Sequence, residues 1–105
     1  MKLIDYGYPY WKGGKIKRQK TFKEKRIVLL SVKGVLDIRE KGLRNLLSVD
    51  KDDNIIWIAD LPTEIYDCYY DMKFENGIIY AYSSNSFMSE INPETGKIIK
   101  SYMIK

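Results

Sequence analysis

The stretch FENGIIYAYSSNSFMSEINPETGKIIKSYMIK, residues 74–105, decides the fold. Asn76-Gly77 stands between two apolar runs, the strongest short-range hairpin signal, because both central positions of a tight two-residue turn need positive φ. Strands are predicted at 69–74 and 78–83. Ser84-Asn85-Ser86 then turns the chain into a third strand at 87–91. Asn92-Pro93-Glu94-Thr95-Gly96 turns it again into a fourth at 97–104, since Pro pre-sets φ and Gly supplies the left-handed residue of the turn. A four-stranded antiparallel meander is expected.

An earlier copy emerges when the sequence is laid against itself. Lys33-Gly34-Val35-Leu36 lies over Asn76-Gly77-Ile78-Ile79 at an offset of 43, and Leu47-Ser48-Val49-Asp50 lies over Ser89-Glu90-Ile91-Asn92 at 42. Asn54-Ile55-Ile56-Trp57 lies over Lys97-Ile98-Ile99-Lys100, again at 43. Two units result, at about 27–61 and 69–105, after a basic segment at 1–26. The period falls within the ~40–45 residues of one propeller blade.

At these residues the chain resembles a known family. NLLSVDKDDNIIWIADL (45–61) and NGIIYAYSSNSFMSEINPETGKII (76–99) look like consecutive blades of quinoprotein-like and related β-propellers. Those repeats carry a strand, an Asp- or Asn-led turn ending in Gly, and a further strand with Trp. Here Asn54 replaces the turn Gly of the first copy, and Lys100 stands where Trp57 stands in the other. The resemblance implies a blade-like build and transfers no cofactor-binding pattern. Two blades cannot close a ring, and each sheet alone would expose an apolar face and two edges. The expected fold is all-β: two four-stranded meanders packed as a sandwich or open half-barrel in one domain, with the N-terminal segment covering an edge.

Composition agrees with this. The 105 residues are 45% hydrophobic and include nine Tyr, enough for one modest core with strand-favouring aromatics. No apolar run reaches signal-peptide or membrane-span length, so a soluble cytoplasmic protein with no membrane association is expected. Cys68 is the single cysteine and histidine is absent. These two facts exclude an internal disulfide, a Cys/His zinc site and any His-based triad. Neither an enzyme nor a cofactor is expected, and the neighbouring Asp67 marks Cys68 as an inert thiol rather than a nucleophile.

The net charge of +4 conceals a separation. Residues 12–26 carry eight cations against Glu24, and residues 50–94 carry ten acids against Lys51 and Lys73. Each pole can steer a charged partner. Asp50-Lys51-Asp52-Asp53-Asn54 begins like a calcium loop, but Ile55 occupies the position that needs Gly and Leu61 the position that needs Glu, so a polar hairpin turn and no metal are expected. Asp60, Glu64, Asp67 and Asp71 interleave with Tyr66, Tyr69 and Tyr70. This mixture reads as a solvated connection or as a hot-spot surface for a basic protein. Lys12, Lys15, Lys17, Arg18 and Lys20, near Tyr8, Tyr10, Trp11 and Phe22, read as a solvated edge or as a nucleic-acid contact.

Small size and a blade-like β build are similar to those of bacterial immunity proteins that neutralise contact-dependent or polymorphic toxins. That resemblance implies a non-catalytic inhibitor, monomeric when free, occluding the active site of a basic toxin such as a nuclease. Its expected contacts are Asp50, Asp52, Asp53, Trp57, Asp60, Glu64, Tyr66, Asp67, Tyr69, Tyr70 and Asp71. The alternatives are a nucleic-acid-binding module using residues 12–26 and a homo-oligomeric propeller-like binding protein.

Overall fold

The structure, a computed structural model, describes residues 1–6, 15–32, 43–63 and 67–104. Among the described residues, a short 3-10 turn at Leu3–Asp5 is followed by eight strands: β1 Ile16–Phe22, β2 Lys25–Leu30, β3 Leu46–Val49, β4 Ile55–Ile58, β5 Tyr69–Glu75, β6 Ile78–Ser83, β7 Phe87–Ile91 and β8 Ile98–Met103. They form two antiparallel sheets, each in sequential order, β1-β2-β3-β4 and β5-β6-β7-β8. The two expected four-stranded meanders are present and packed on each other.

The first sheet begins earlier than the sequence indicated. Its outer strand, β1, lies within the basic segment and pairs with β2 through a turn in which Lys23 and Glu24 both have positive φ, 48° and 65°. This turn is the counterpart of Asn76-Gly77, whose φ values are 52° and 75°. The offset between the two hairpins is therefore 53 and not 43. Lys33-Gly34-Val35-Leu36, which suggested the shorter offset, lies outside the described residues. The copies fall out of step between Leu30, where β2 ends, and Leu46, where β3 begins; Ser83 and Phe87 bound the much shorter interval between β6 and β7.

After that connection the offsets of 42 and 43 hold, and even an irregularity is repeated: the register slips between Ser48 and Val49 in one sheet and between Glu90 and Ile91 in the other. The positive φ of the first turn belongs to Asp53, at 63°, matching Gly96 at 76°; Asn54 is not the residue that replaces glycine.

Two cores result. Ile27, Leu29, Leu46 and Trp57 of the first sheet meet Met72, Ile79, Ala81 and Ile91 of the second. On the other side of the first sheet, Val28, Leu30, Leu47 and Val49 form a second cluster beneath Leu43 and Cys68, with Leu3 and Tyr6 packed against it. Residues 1–6 also cover an edge: Leu3 N–H donates to Asp53 O and Ile55 N–H to Met1 O, closing the start of β4. The central strands β2 and β3 are thus buried on both faces, which is why they read as near-continuous apolar runs instead of alternating.

Candidate interaction surface

The hairpin offsets place the two sheets in residue-by-residue correspondence. Across the first sheet run Lys20, Ile27, Ser48 and Trp57; across the second, in the equivalent positions, run Lys73, Tyr80, Glu90 and Lys100. The adjoining row Arg18, Leu29, Leu46 corresponds to Asp71, Tyr82, Met88. Ile27 and Leu29 point into the core between the sheets, but Tyr80 and Tyr82, their counterparts, lie on the alternate side from the core residues Ile79 and Ala81. The sheets are therefore stacked in the same sense, front to back. The second sheet leaves outermost the very face that the first buries.

That outer face is aromatic. Tyr70 and Tyr102 are exposed, Tyr80, Tyr82 and Met88 half-buried. The rings of Tyr70 and Tyr82 lie 6.3 Å apart, and Tyr102 Oη reaches Met88 Sδ at 3.9 Å. Lys73 Nζ stands 6.0 Å from the centre of Tyr80 and Lys100 Nζ 5.7 Å from that of Tyr102, within cation–π range. Both lysines also have acidic neighbours, Glu75 and Glu90, each at 3.4 Å. Glu75 raises the pKa of Lys73, keeping it charged. The face is charge-compensated and held by its own contacts.

The acidic residues singled out in the sequence are mostly engaged within the fold. Asp50 accepts the backbone N–H of Asp52 at 2.8 Å and of Asn54 at 2.9 Å, closing the β3–β4 turn; the Asn54 hydrogen bond holds its carboxyl below the ordinary range. Asp53 pairs with Arg26, Asp71 with Arg18, and Asp60 with Arg44 at 3.0 Å. Asp52 is exposed, and its backbone carbonyl accepts from Lys2 Nζ. Asp67 is fully buried and ties together Thr63, Cys68, Ser84 and Asn85.

Two expected anchors are interior. Trp57, 8% exposed, donates from Nε1 to Pro93 O at 2.9 Å, and Tyr69, 1% exposed, donates from its hydroxyl to Asp60 O at 2.7 Å. Neither presents a surface to a partner; Tyr70, next along, does. Glu64 and Tyr66 lie outside the described residues, as do Lys12, Tyr8, Tyr10 and Trp11.

Lys15, Lys17, Arg18 and Lys20 lie exposed on or beside the edge strand β1. The poles of the chain partly neutralise one another, through Arg18–Asp71, Lys23–Glu94 and Arg26–Asp53. Burial pushes the Cys68 thiol above its usual pKa, as an inert cysteine requires. Among the described residues no group of three or more His, Cys, Asp or Glu is arranged to hold a metal, and no helix is long and apolar enough to cross a membrane.

Sequence reasoning missed Tyr80, Tyr82, Met88 and Tyr102. The signal was available: Ile79, Ala81 and Ser83 alternate with Tyr80 and Tyr82, and a period of two assigns the tyrosines to one face.

The family model described as Domain of unknown function (DUF7957) matches residues 14–103, which contain all eight strands. The chain belongs to this family. Among curated proteins none matches it. The DUF7957 match spans the tyrosine face and the basic edge alike, so both surfaces fall within the family's domain.

Proposed function

We propose that the chain is a non-catalytic protein-binding module, in its most specific form an immunity protein that docks on a toxin and occludes its active site. The observation carrying this reading is the correspondence between the sheets: Tyr80, Tyr82 and Met88 occupy the positions at which Ile27, Leu29 and Leu46 meet a second layer. A partner takes the place of the third layer. Tyrosine supplies large contact area at low side-chain entropy cost, with a polar tip that tolerates water when the face is empty.

The test is a titration of the chain against the product of the adjacent upstream gene, with mass read by light scattering. A one-to-one complex weakened about thirtyfold by Tyr82→Ala with Tyr102→Ala, a hot-spot loss of ~2 kcal/mol, is expected. Co-expression should also rescue growth from the toxin. A chain that stays at 12.4 kDa, or a complex indifferent to both substitutions, overturns the reading.

A further inference from the structure

A second feature adjoins the tyrosine face, sharing only Lys73 among its lining residues. Strands β1 and β5 are each the first strand of their sheet, so each has one edge without a strand partner among the described residues. They approach side by side. At one end Arg18 pairs with Asp71 and Lys17 Nζ donates to Tyr70 O; at the other, the rings of Phe22 and Phe74 meet at 5.3 Å. Between these closures lies a cleft of about 390 Å³ lined by Lys17, Arg18, Gln19, Lys20, Met72, Lys73 and Phe74.

The register explains why it is open. Arg18 and Lys20 pair with Leu29 and Ile27, the residues of β2 that face the core, so both side chains are on the side that meets the second sheet. Arg18 finds Asp71 and Phe22 finds Phe74. Lys20, between them, makes no ion pair among the described residues. The volume lies in the ~300–1,000 Å³ range of small-molecule sites. One wall is cationic, with Lys17, Arg18 and Lys20 from a single strand. The other supplies Met72 and Phe74, both part of the core packing. Its two fixed ends favour a compact ligand over an inserted strand.

We propose that this cleft binds a nucleotide, its phosphates against Lys20 and Lys17 and its base against Met72 and Phe74. Phosphate oxygens satisfy ammonium groups as point charges, and a flat ring covers an apolar wall without needing hydrogen bonds from it. Arg18, held by Asp71, stands pre-positioned at the phosphate end.

Calorimetry on the intact chain at low salt tests this, with ADP, pyrophosphate, adenosine and a ten-residue oligothymidine as separate titrants. ADP should bind more tightly than pyrophosphate or adenosine, and Lys20→Glu should weaken ADP about tenfold. Lys20 is exposed, so an unchanged melting temperature will show that the variant is folded. Four results overturn the proposal: no heat with ADP, equal ADP affinity in Lys20→Glu, pyrophosphate binding as well as ADP, or binding by the oligothymidine alone with a steep salt dependence. The last would mark a diffuse basic edge instead of a site. None of these outcomes bears on the toxin titration, which reads Tyr82 and Tyr102, neither of which lines the cleft.

Discussion

Gly96 and Trp57 show how one residue type is dictated by a single contact. Gly96 has φ of +76°, and a Cβ there would stand 2.4 Å from Cε3 of the Trp57 ring. Gly77 has nearly the same φ, +75°, with nothing within 4 Å of the added atom. The pair separates backbone strain from collision. Gly77→Ala should cost about 1 kcal/mol through the left-handed backbone alone. Gly96→Ala should cost about 2–4 kcal/mol, because the indole must also leave its hydrogen bond to Pro93 or the turn must shift. Urea denaturation of both variants measures the difference, and equal losses would show that the ring yields freely. Asn45 works at the same scale in the interior. Fully buried, it donates to Leu30 O at 2.8 Å and Tyr69 O at 2.6 Å and accepts from Tyr69 N–H at 2.9 Å, lacing the end of β2 to the start of β5. No pattern in the sequence marks it, since an isolated Asn before an apolar run reads as a turn or cap residue.

Among the elements, legibility followed turn chemistry. In the second sheet Asn-Gly and Pro-Glu-Thr-Gly stand at the turns and apolar residues alternate between them, so β6 and β7 fall at the residues expected and β5 and β8 within one or two. The first sheet obeys the same geometry with poorer signals. Strand β1, IKRQKTF, is an edge whose residues are exposed except for the half-buried Phe22, so it has no apolar face to alternate. Its charges protect an open edge. Lys23-Glu24 forms its turn with two non-glycine residues in left-handed conformation, which propensity alone would not place there. The Lys-Gly of Lys33-Gly34 was the more glycine-like signal and drew the repeat out of register. A direct consequence concerns Glu24, exposed and at φ 65°. Glu24→Gly should stabilise the protein by about 0.5–1 kcal/mol while leaving the Lys23–Glu94 pair in place. Thermal melting checks this, and a fall in melting temperature would show that the turn carries no strain. The candidate surface was less legible than the fold. Acids and aromatics were visible as a composition, but whether Tyr69 or Tyr70 faces out depends on a register slip between Tyr69 and Asp71 that sequence does not announce.

For the molecule as a whole, front-to-back stacking creates two unlike ends. One is the outer face of the first sheet, apolar and roofed by Leu3 and Tyr6 with Leu43 and Cys68; the other is the tyrosine face. Head-to-tail contact between copies would generate rings or filaments, and the roof over the apolar end stands in its way. The separation of charge along the chain serves the same compactness, because Arg18–Asp71, Lys23–Glu94 and Arg26–Asp53 join basic to acidic segments far apart in sequence. Exposed pairs of this kind contribute only ~0.2–1 kcal/mol each, so they set alignment more than stability. Covering both faces of the central strands has a further effect, on the time axis. Strands β2 and β3 are flanked by strands on both edges and shielded above and below, so their amide protons can meet solvent only when the whole domain opens. Strand β8 has an edge without a strand partner among the described residues and exposed side chains from Ile99 to Met103, and can fray alone. In deuterated buffer, Val28, Leu29 and Leu47 should therefore keep their protons longest and β8 should lose its own first. The reverse order would mean that the second sheet is the more persistent half, and that the end carrying the tyrosine face is the last part of the molecule to come apart.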